Sequence, residues 1–440
     1  MTRQTIACSM LALALSCGAA HASTTINAGG SSLAFPTYQA EFEKYTNSSP
    51  TILFSYSAVG SGSGQAGFLQ NTFTPQPSTD TVWWPAPAGI LTYGTPVGTQ
   101  VDIGASDATL ISGQLTNPST GSYGTSTQGS VVDGPIIQIP TFGVPVTMAF
   151  NQPAITSLKL TANQVCGILS GQISDWNTLN PSIPSGTPIT VVYRSDGSGT
   201  TFLTLQHLAA ICNSSNSNFT SITVGNKFIS DVVISGYTAG TLPPNFVPES
   251  GSGNVATEIN STSGAIGYLS PDYTSIAPNS SANPTVNYPN LIAASLVNSI
   301  DGKTYAPTVA NTTLALANPD PDDSANTKPP ANMSDAMDPL NWVPTIAVAL
   351  KGYPIVGYTT MDLSSCYADA AAAKAIELFL KDQYTSTAYK NIIEANGFVP
   401  LVNSGAAKYA TAVENTFLSN NVGYKLNINN SKLCKGLAGR

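Results

Sequence analysis

The residues best placed to do chemistry lie in the run Val191-Val192-Tyr193-Arg194-Ser195-Asp196-Gly197-Ser198-Gly199-Thr200-Thr201-Phe202. A β-branched stretch ends there in a charged, hydroxyl-rich, glycine-rich loop. Phe202, Leu205, Leu208 and Ile211 then recur at helical spacing. A strand that feeds such a loop and then a helix makes a pocket of outward-pointing backbone N–H groups. The helix start adds partial positive charge and Arg194 a full one. The chemistry such a pocket offers is the binding of a compact oxyanion.

The same design recurs three more times. Thr24-Thr25-Ile26-Asn27-Ala28 leads into Gly29-Gly30-Ser31-Ser32 and then a helical pattern of Phe35, Tyr38, Phe42 and Tyr45, with Pro36 in the first turn where proline is tolerated. Thr51 to Tyr56 runs into Val59-Gly60-Ser61-Gly62-Ser63-Gly64, and Val101-Asp102-Ile103 into Gly104-Ala105-Ser106-Asp107. In an open α/β sheet, ligands bind at the carboxyl ends of the strands. Four such ends, rich in Ser, Gly and Thr but holding one Arg and two Asp, describe a single anion site built mainly from neutral donors.

The rest of the chain sets limits on that site's surroundings. Residues 1–22 read as a secretory signal: Arg3 supplies the positive start, Ile6 to Leu15 a short apolar core, and Ala20-His21-Ala22 the small-residue cleavage site. Lipid attachment at Cys17 is disfavoured because Ala14 stands where such signals place Leu. Across the sequence, 16 Lys and Arg face 24 Asp and Glu, and only 9% of residues are charged. That balance argues against nucleic acid and anionic membrane as partners. Four cysteines lie beyond the signal: Cys166, Cys212, Cys366 and Cys434. An even count in an exported chain favours two disulfides. Sequence order suggests Cys166–Cys212 and Cys366–Cys434, although four cysteines allow three pairings. No CxxC or His-rich spacing points to a metal, and no cofactor motif is present.

Strand-loop-helix units at both ends make the class α/β. Residues 65–100 and 111–134, rich in Thr, Pro, Gly and Ser and including Trp83-Trp84-Pro85, read as surface insertions. Gly143 to Phe150 is a buried strand candidate. Thr161 and Gln164 have capping-box spacing for a helix through Val165 and Ile168 that ends near Gly171. Residues 318–338 carry Asp320, Asp322 and Asp323 among four prolines and read as a mobile acidic loop. A long helix is expected over roughly 367–384, with Ala372, Ile376, Phe379 and Leu380 on one face.

Arg194-Ser195-Asp196-Gly197-Ser198-Gly199-Thr200-Thr201 closely resembles the signature loop of the PstS-like phosphate-binding proteins that serve bacterial ABC importers. Gly104-Ala105-Ser106-Asp107 resembles a second motif of that family, in the expected order. Gly264-Ala265-Ile266-Gly267-Tyr268 and Ile173-Ser174-Asp175-Trp176-Asn177 are further matches. The resemblance implies a two-domain periplasmic binding protein of type II-like fold, hinged, with its ligand in the interdomain cleft. It places domain I at 23–143 and 355–440 and domain II at 144–354, with crossings near 142–146 and 350–356. It implies phosphate donors at Ser32, the backbone N–H of Leu33, Ser61, Arg194, Ser198, Gly199 and Thr200. Asp107 would accept a proton from the ligand, and Asp196 would orient Arg194. The partners implied are inorganic phosphate and the membrane permease of an ABC importer, and the location periplasmic. The two insertions depart from the shorter family pattern and raise a secreted or surface role as the alternative.

An enzyme, such as a secreted phosphatase, is the rival class. Nucleophilic catalysis needs an activating base beside the hydroxyl. His207 is the one histidine beyond the signal and reads as structural, no GxSxG elbow is present, and no carboxylate/His cluster suggests metal-assisted hydrolysis. A surface adhesion module would account for the Ser/Thr-rich insertions but not for the site loops.

Overall fold

The computed structural model describes residues 24–71, 92–93, 100–116, 134–275, 288 and 291–440. The signal at 1–22, Trp83 and Trp84, and most of both insertions lie outside the described residues. The strands of the two main sheets run, along the chain, as β1 (Thr24–Gly30), β2 (Ile52–Ser57), β3 (Thr92–Tyr93), β4 (Ile103–Ser106) and β5 (Ile136–Pro145). Next come β6 (Thr147–Asn151), β7 (Thr190–Arg194), β8 (Phe246–Glu249), β9 (Ala265–Leu269) and β10 (Ile292–Ala293). The last two are β11 (Val356–Ser364) and β12 (Val399–Pro400). The helices that matter here are α1 (Phe35–Ser48), α2 (Ser61–Gln70), α3 (Ala162–Leu169), α4 (Gly199–Ile211), α5 (Gly251–Ser261) and α6 (Ala370–Thr385).

The larger sheet has the order β12-β5-β11-β4-β1-β2-β3 and the smaller β8-β7-β9-β6-β10. The larger sheet has a parallel centre flanked by antiparallel strands, whereas the smaller has three parallel strands at one edge and two strands paired antiparallel beyond them. β1 pairs in parallel with β2 and β4, and β7 with β8 and β9. Parallel strands need crossover helices, and α1 and α5 provide them after β1 and β8. The loops between strand and helix therefore all open at the carboxyl edge of their sheet. That is where the hydroxyl-rich loops of the sequence fall.

Helix α1 shows how the pattern becomes packing. Phe35, Tyr38, Phe42 and Tyr45 form its buried face. Phe42 stacks on Phe54 of β2 with ring centroids 4.6 Å apart and meets Phe379 of α6 at 5.0 Å. Burying each such ring contributes about 1.5–3 kcal/mol, and these contacts clamp α1 and α6 on the sheet. Thr161 and Gln164 make the expected capping box on α3. Helix α6 starts at Ala370 because the Asp369 carboxylate accepts from the Ala371 N–H.

The chain leaves the larger sheet at Pro145 and enters the smaller one at Thr147. Between them the Val146 N–H donates to the Ile355 carbonyl over 2.9 Å, and the Tyr353 hydroxyl donates to the Val146 carbonyl over 3.0 Å. The outgoing and returning segments thus lie side by side. Both disulfides follow sequence order: Cys166–Cys212 ties α3 to the end of α4, and Cys366–Cys434 ties the segment after β11 to the C-terminal tail.

Residues 318–338 are not the mobile loop that their composition implies. Ser324–Ala325 pairs with Thr345–Ile346, and Met333–Met337 forms a short helix capped by Asn332. The aspartates work locally: Asp320 Oδ1 accepts from the Asp322 N–H, and Asp338 Oδ1 from the Leu340 N–H. Proline and aspartate here fix turns instead of keeping the chain loose. Among the described residues, no helix is long and apolar enough to cross a membrane.

Candidate functional site

Five loops converge between the two sheets. Four are those expected: residues 30–33 before α1, 59–61 before α2, 106–107 after β4, and 194–198 before α4. The fifth, Ser250-Gly251-Ser252 at the start of α5, is not among the expected loops. Its signal was present, since Phe246-Val247 runs into Ser250-Gly251-Ser252-Gly253 by the same strand, small-residue loop and helix design.

Glycine lets these loops meet. Gly60 has φ +89°, and a side chain there would run into the Asp196 carboxylate. The Gly62 N–H donates to the Gly197 carbonyl over 2.8 Å, joining the larger-sheet loops to the smaller-sheet ones.

Arg194 is 2% exposed and is gripped side-on by Asp196, with Nε to Oδ1 at 2.6 Å and Nη2 to Oδ2 at 2.5 Å. Its third face, Nη1, donates to Ser252 Oγ at 3.2 Å. Burial pulls the guanidinium pKa down, but the adjacent Asp196 more than offsets this and the net direction is up. Asp196 also accepts from the Gly251 N–H at 3.0 Å, so α5 and the arginine are oriented by one carboxylate. The backbone N–H of Arg194 donates to the Tyr268 hydroxyl, which also contacts Thr201 Oγ1 at 2.9 Å. Trp176 donates its indole N–H to the Gly264 carbonyl. Three of the four sequence motifs therefore form one framework.

Asp107 accepts from Ser31 Oγ at 2.8 and 2.7 Å and from Ser61 Oγ at 3.4 Å. Burial raises its pKa to about 6, against the lowering effect of Ser31 and Arg194. The sequence places Ser31 in the loop without a role, because nothing in Gly30-Ser31-Ser32 says which serine faces the carboxylate. Ser32 Oγ lies 3.1 Å from Ser252 Oγ and accepts from the Ser252 N–H. Leu33 is fully buried, and its carbonyl accepts from Ser270 Oγ. Ser198 caps α4 by accepting from the Thr201 N–H, which leaves its hydroxyl hydrogen to be donated elsewhere. Thr200 Oγ1 is buried and has no hydrogen-bond partner. Such an orphan costs free energy unless a ligand satisfies it.

Among the described residues of these five loops, the charged side chains are Arg194, its partner Asp196 and Asp107, so they sum to no excess of positive charge. An anion must be held by hydroxyls, backbone N–H groups and the starts of α2, α4 and α5. His207 lies away from this set, with Nδ1 at 2.8 Å from the Ala347 carbonyl, and burial lowers its pKa. Among the described residues, no group of three or more His, Cys, Asp or Glu could hold a metal.

A two-sheet molecule whose strand-end loops bring one set of buried polar groups together is the architecture of a hinged binding protein. A model described as PBP superfamily domain matches residues 17–376, and the chain belongs to that superfamily. It is 31% identical over 432 residues to a Pseudomonas aeruginosa protein named alkaline phosphatase L, covering 97% of each chain. It is 28% identical over 425 residues to a phosphate-binding protein of an unknown prokaryotic organism, covering 93% of this chain and 98% of that one. The solved structure of a high affinity periplasmic phosphate-binding protein, PfluDING, bound with phosphate, superposes with a TM-score of 0.72 at 28% identity. That match covers 95% of this chain and 99% of that one. The similarity to phosphate-binding proteins thus extends over nearly the whole length.

Proposed function

We propose that the protein binds inorganic phosphate between its two lobes in the cell envelope and delivers it to the permease of an ABC importer. Asp107 carries this reading. A buried carboxyl group set among anion donors is repulsive unless the ligand brings a hydrogen for it to accept, and protonated phosphate does. Ser32, the Leu33 N–H, Ser61, Arg194, Ser198, the Gly199 N–H and Thr200 are the donors, with Thr200 Oγ1 gaining the partner it otherwise lacks. The lobes are 23–143 with 355–440, and 144–354, hinged where Val146 lies against Ile355. The location is periplasmic, reached through the signal at 1–22.

A phosphatase is the second reading, favoured by the name of the Pseudomonas aeruginosa relative and by the Ser31 hydroxyl on the Asp107 carboxylate, a hydroxyl beside a base. Ser31 Oγ also accepts from the Ala34 N–H at 3.0 Å, which ties it into the turn before α1. Equilibrium binding of radiolabelled phosphate, with hydrolysis of a chromogenic phosphate monoester followed on the same sample, separates the two. Saturable one-to-one binding without turnover supports the binding protein. Turnover abolished by Ser31→Ala would replace it with the enzyme.

A further inference from the structure

Ser252 has no counterpart among the donors assigned above, yet it touches two of them. Its Oγ accepts from Arg194 Nη1 at 3.2 Å and lies 3.1 Å from Ser32 Oγ, while its own N–H donates to Ser32 Oγ at 3.1 Å. Both serines are buried, at 5% and 1% exposure for Ser32 and Ser252. Ser32 belongs to the loop after β1 in the larger-sheet lobe, and Ser252 to the first turn of α5 in the smaller-sheet lobe. The contact therefore exists only while the lobes are together.

Counting hydrogens gives the contact a direction. A serine oxygen has one hydrogen to give and two lone pairs to receive. A hydroxyl that accepts from a guanidinium is polarised into a stronger donor, because linked hydrogen bonds reinforce one another. Ser252, holding Arg194 on its lone pair, is thus biased to give its hydrogen to Ser32. Ser32 then receives twice from Ser252, once from N–H and once from O–H. Both its lone pairs are filled, and its one remaining function is its own hydrogen.

We propose that Ser252 is a positioning residue for anion binding: it passes the polarisation of Arg194 to Ser32, turns the Ser32 hydroxyl hydrogen toward the ligand, and latches the closed lobes. The inference rests on the phosphate reading of the site. An acceptor-rich anion completes the chain Arg194 to Ser252 to Ser32 to ligand. When the lobes part, Ser32 loses both bonds from Ser252 and is free to rotate.

The test is a double-mutant cycle on phosphate affinity with Ser252→Ala, Ser32→Ala and the pair. Ser252→Ala keeps the backbone N–H and removes only the hydroxyl link. It should weaken binding roughly three- to tenfold, the range expected for one hydrogen bond, mainly through faster release. In the Ser32→Ala background the same change should cost less than about twofold, because the residue it acts through is gone. Ser252→Thr, which restores a hydroxyl on the same carbon, should bind within about threefold of the wild type. Additive losses in the cycle, an Ala variant that binds as well as the wild type, or a Thr variant as weak as Ala would each overturn the role. Failure of the wild type itself to bind phosphate would overturn the underlying reading instead. Matched thermal melting of the ligand-free variants separates these losses from damage to the fold.

Discussion

Gly199 lies directly against Asp107: a Cβ on Gly199 would stand 2.6 Å from the Asp107 Cβ and 2.6 Å from Ser61 Oγ. The first residue of α4 in one lobe thus seals onto the strand end and helix start of the other, and only a missing side chain allows it. Gly199→Ala should hold the lobes apart. Overpacking of this kind costs about 1–3 kcal/mol, or a roughly 5- to 160-fold loss of phosphate affinity. Small-angle scattering should show an expanded particle that phosphate no longer compacts.

Arg194 and Asp196 form a buried pair at 2% side-chain exposure each. Arg194→Ala should abolish high-affinity binding, since charge-assisted hydrogen bonds contribute roughly 1.5–3 kcal/mol each. It should also lower stability, because breaking a buried pair leaves Asp196 uncompensated at a cost of about 3–5 kcal/mol. Arg194→Met combined with Asp196→Asn should regain most of the melting temperature and none of the binding. Calorimetric affinity and thermal melting, measured on all three proteins, separate the two roles.

Selectivity against sulfate should follow the protonation of Asp107. At neutral pH it is ionised and repels sulfate, which has no hydrogen to offer. Below its pKa of about 6 it becomes a donor itself. Sulfate should therefore compete poorly at pH 7.5 and increasingly well as pH falls through about 6. Asp107→Asn, a permanent donor, should bind sulfate with no such pH dependence while still binding phosphate. Competition against labelled phosphate at pH 5 and 7.5 checks this. Sulfate competing equally well with wild type at both values would remove Asp107 as the discriminator.

Away from the site, Glu41 on α1 is fully buried; Gln383 Nε2 of α6 donates to its Oε2 at 3.0 Å, while Glu41 Oε1 and Gln383 Oε1 have no partner. A protonated Glu41 could give its hydrogen to that orphaned amide oxygen. Burial raises its pKa well above the ordinary 4.5. A carboxyl group whose pKa rises on folding contributes its full stability below that ordinary value, and loses it as pH climbs toward the folded value. Glu41→Gln should flatten the fall in melting temperature between pH 5 and 8. It should leave the variant a few degrees more stable than wild type at pH 8. A wild-type melting temperature that does not fall over this range would contradict the protonated pair.

The sequence carried the site because its chemistry is local. Arg194, Asp196 and the Ser198 cap lie within five residues, and the strand-to-helix loops announce themselves through small residues after β-branched runs. What was not legible is what only tertiary contact decides. Ser252 repeats the loop design without a charged residue to draw notice, and its partner Ser32 is 220 positions away. Glu41 and Gln383 are 342 apart, and each reads alone as an exposed helical residue. Residues 318–338 differ for the opposite reason: proline and aspartate signal disorder by composition, but here Asp320 and Asp338 fix turns and Asn332 caps a helix.

The central claim is that one phosphate binds in the cleft through Arg194, and calorimetric titration of phosphate into the wild type and Arg194→Ala tests it most directly. The account predicts a single saturable site in the wild type that is lost in the folded variant. No heat of binding in the wild type, or equal affinity in both proteins, would contradict it.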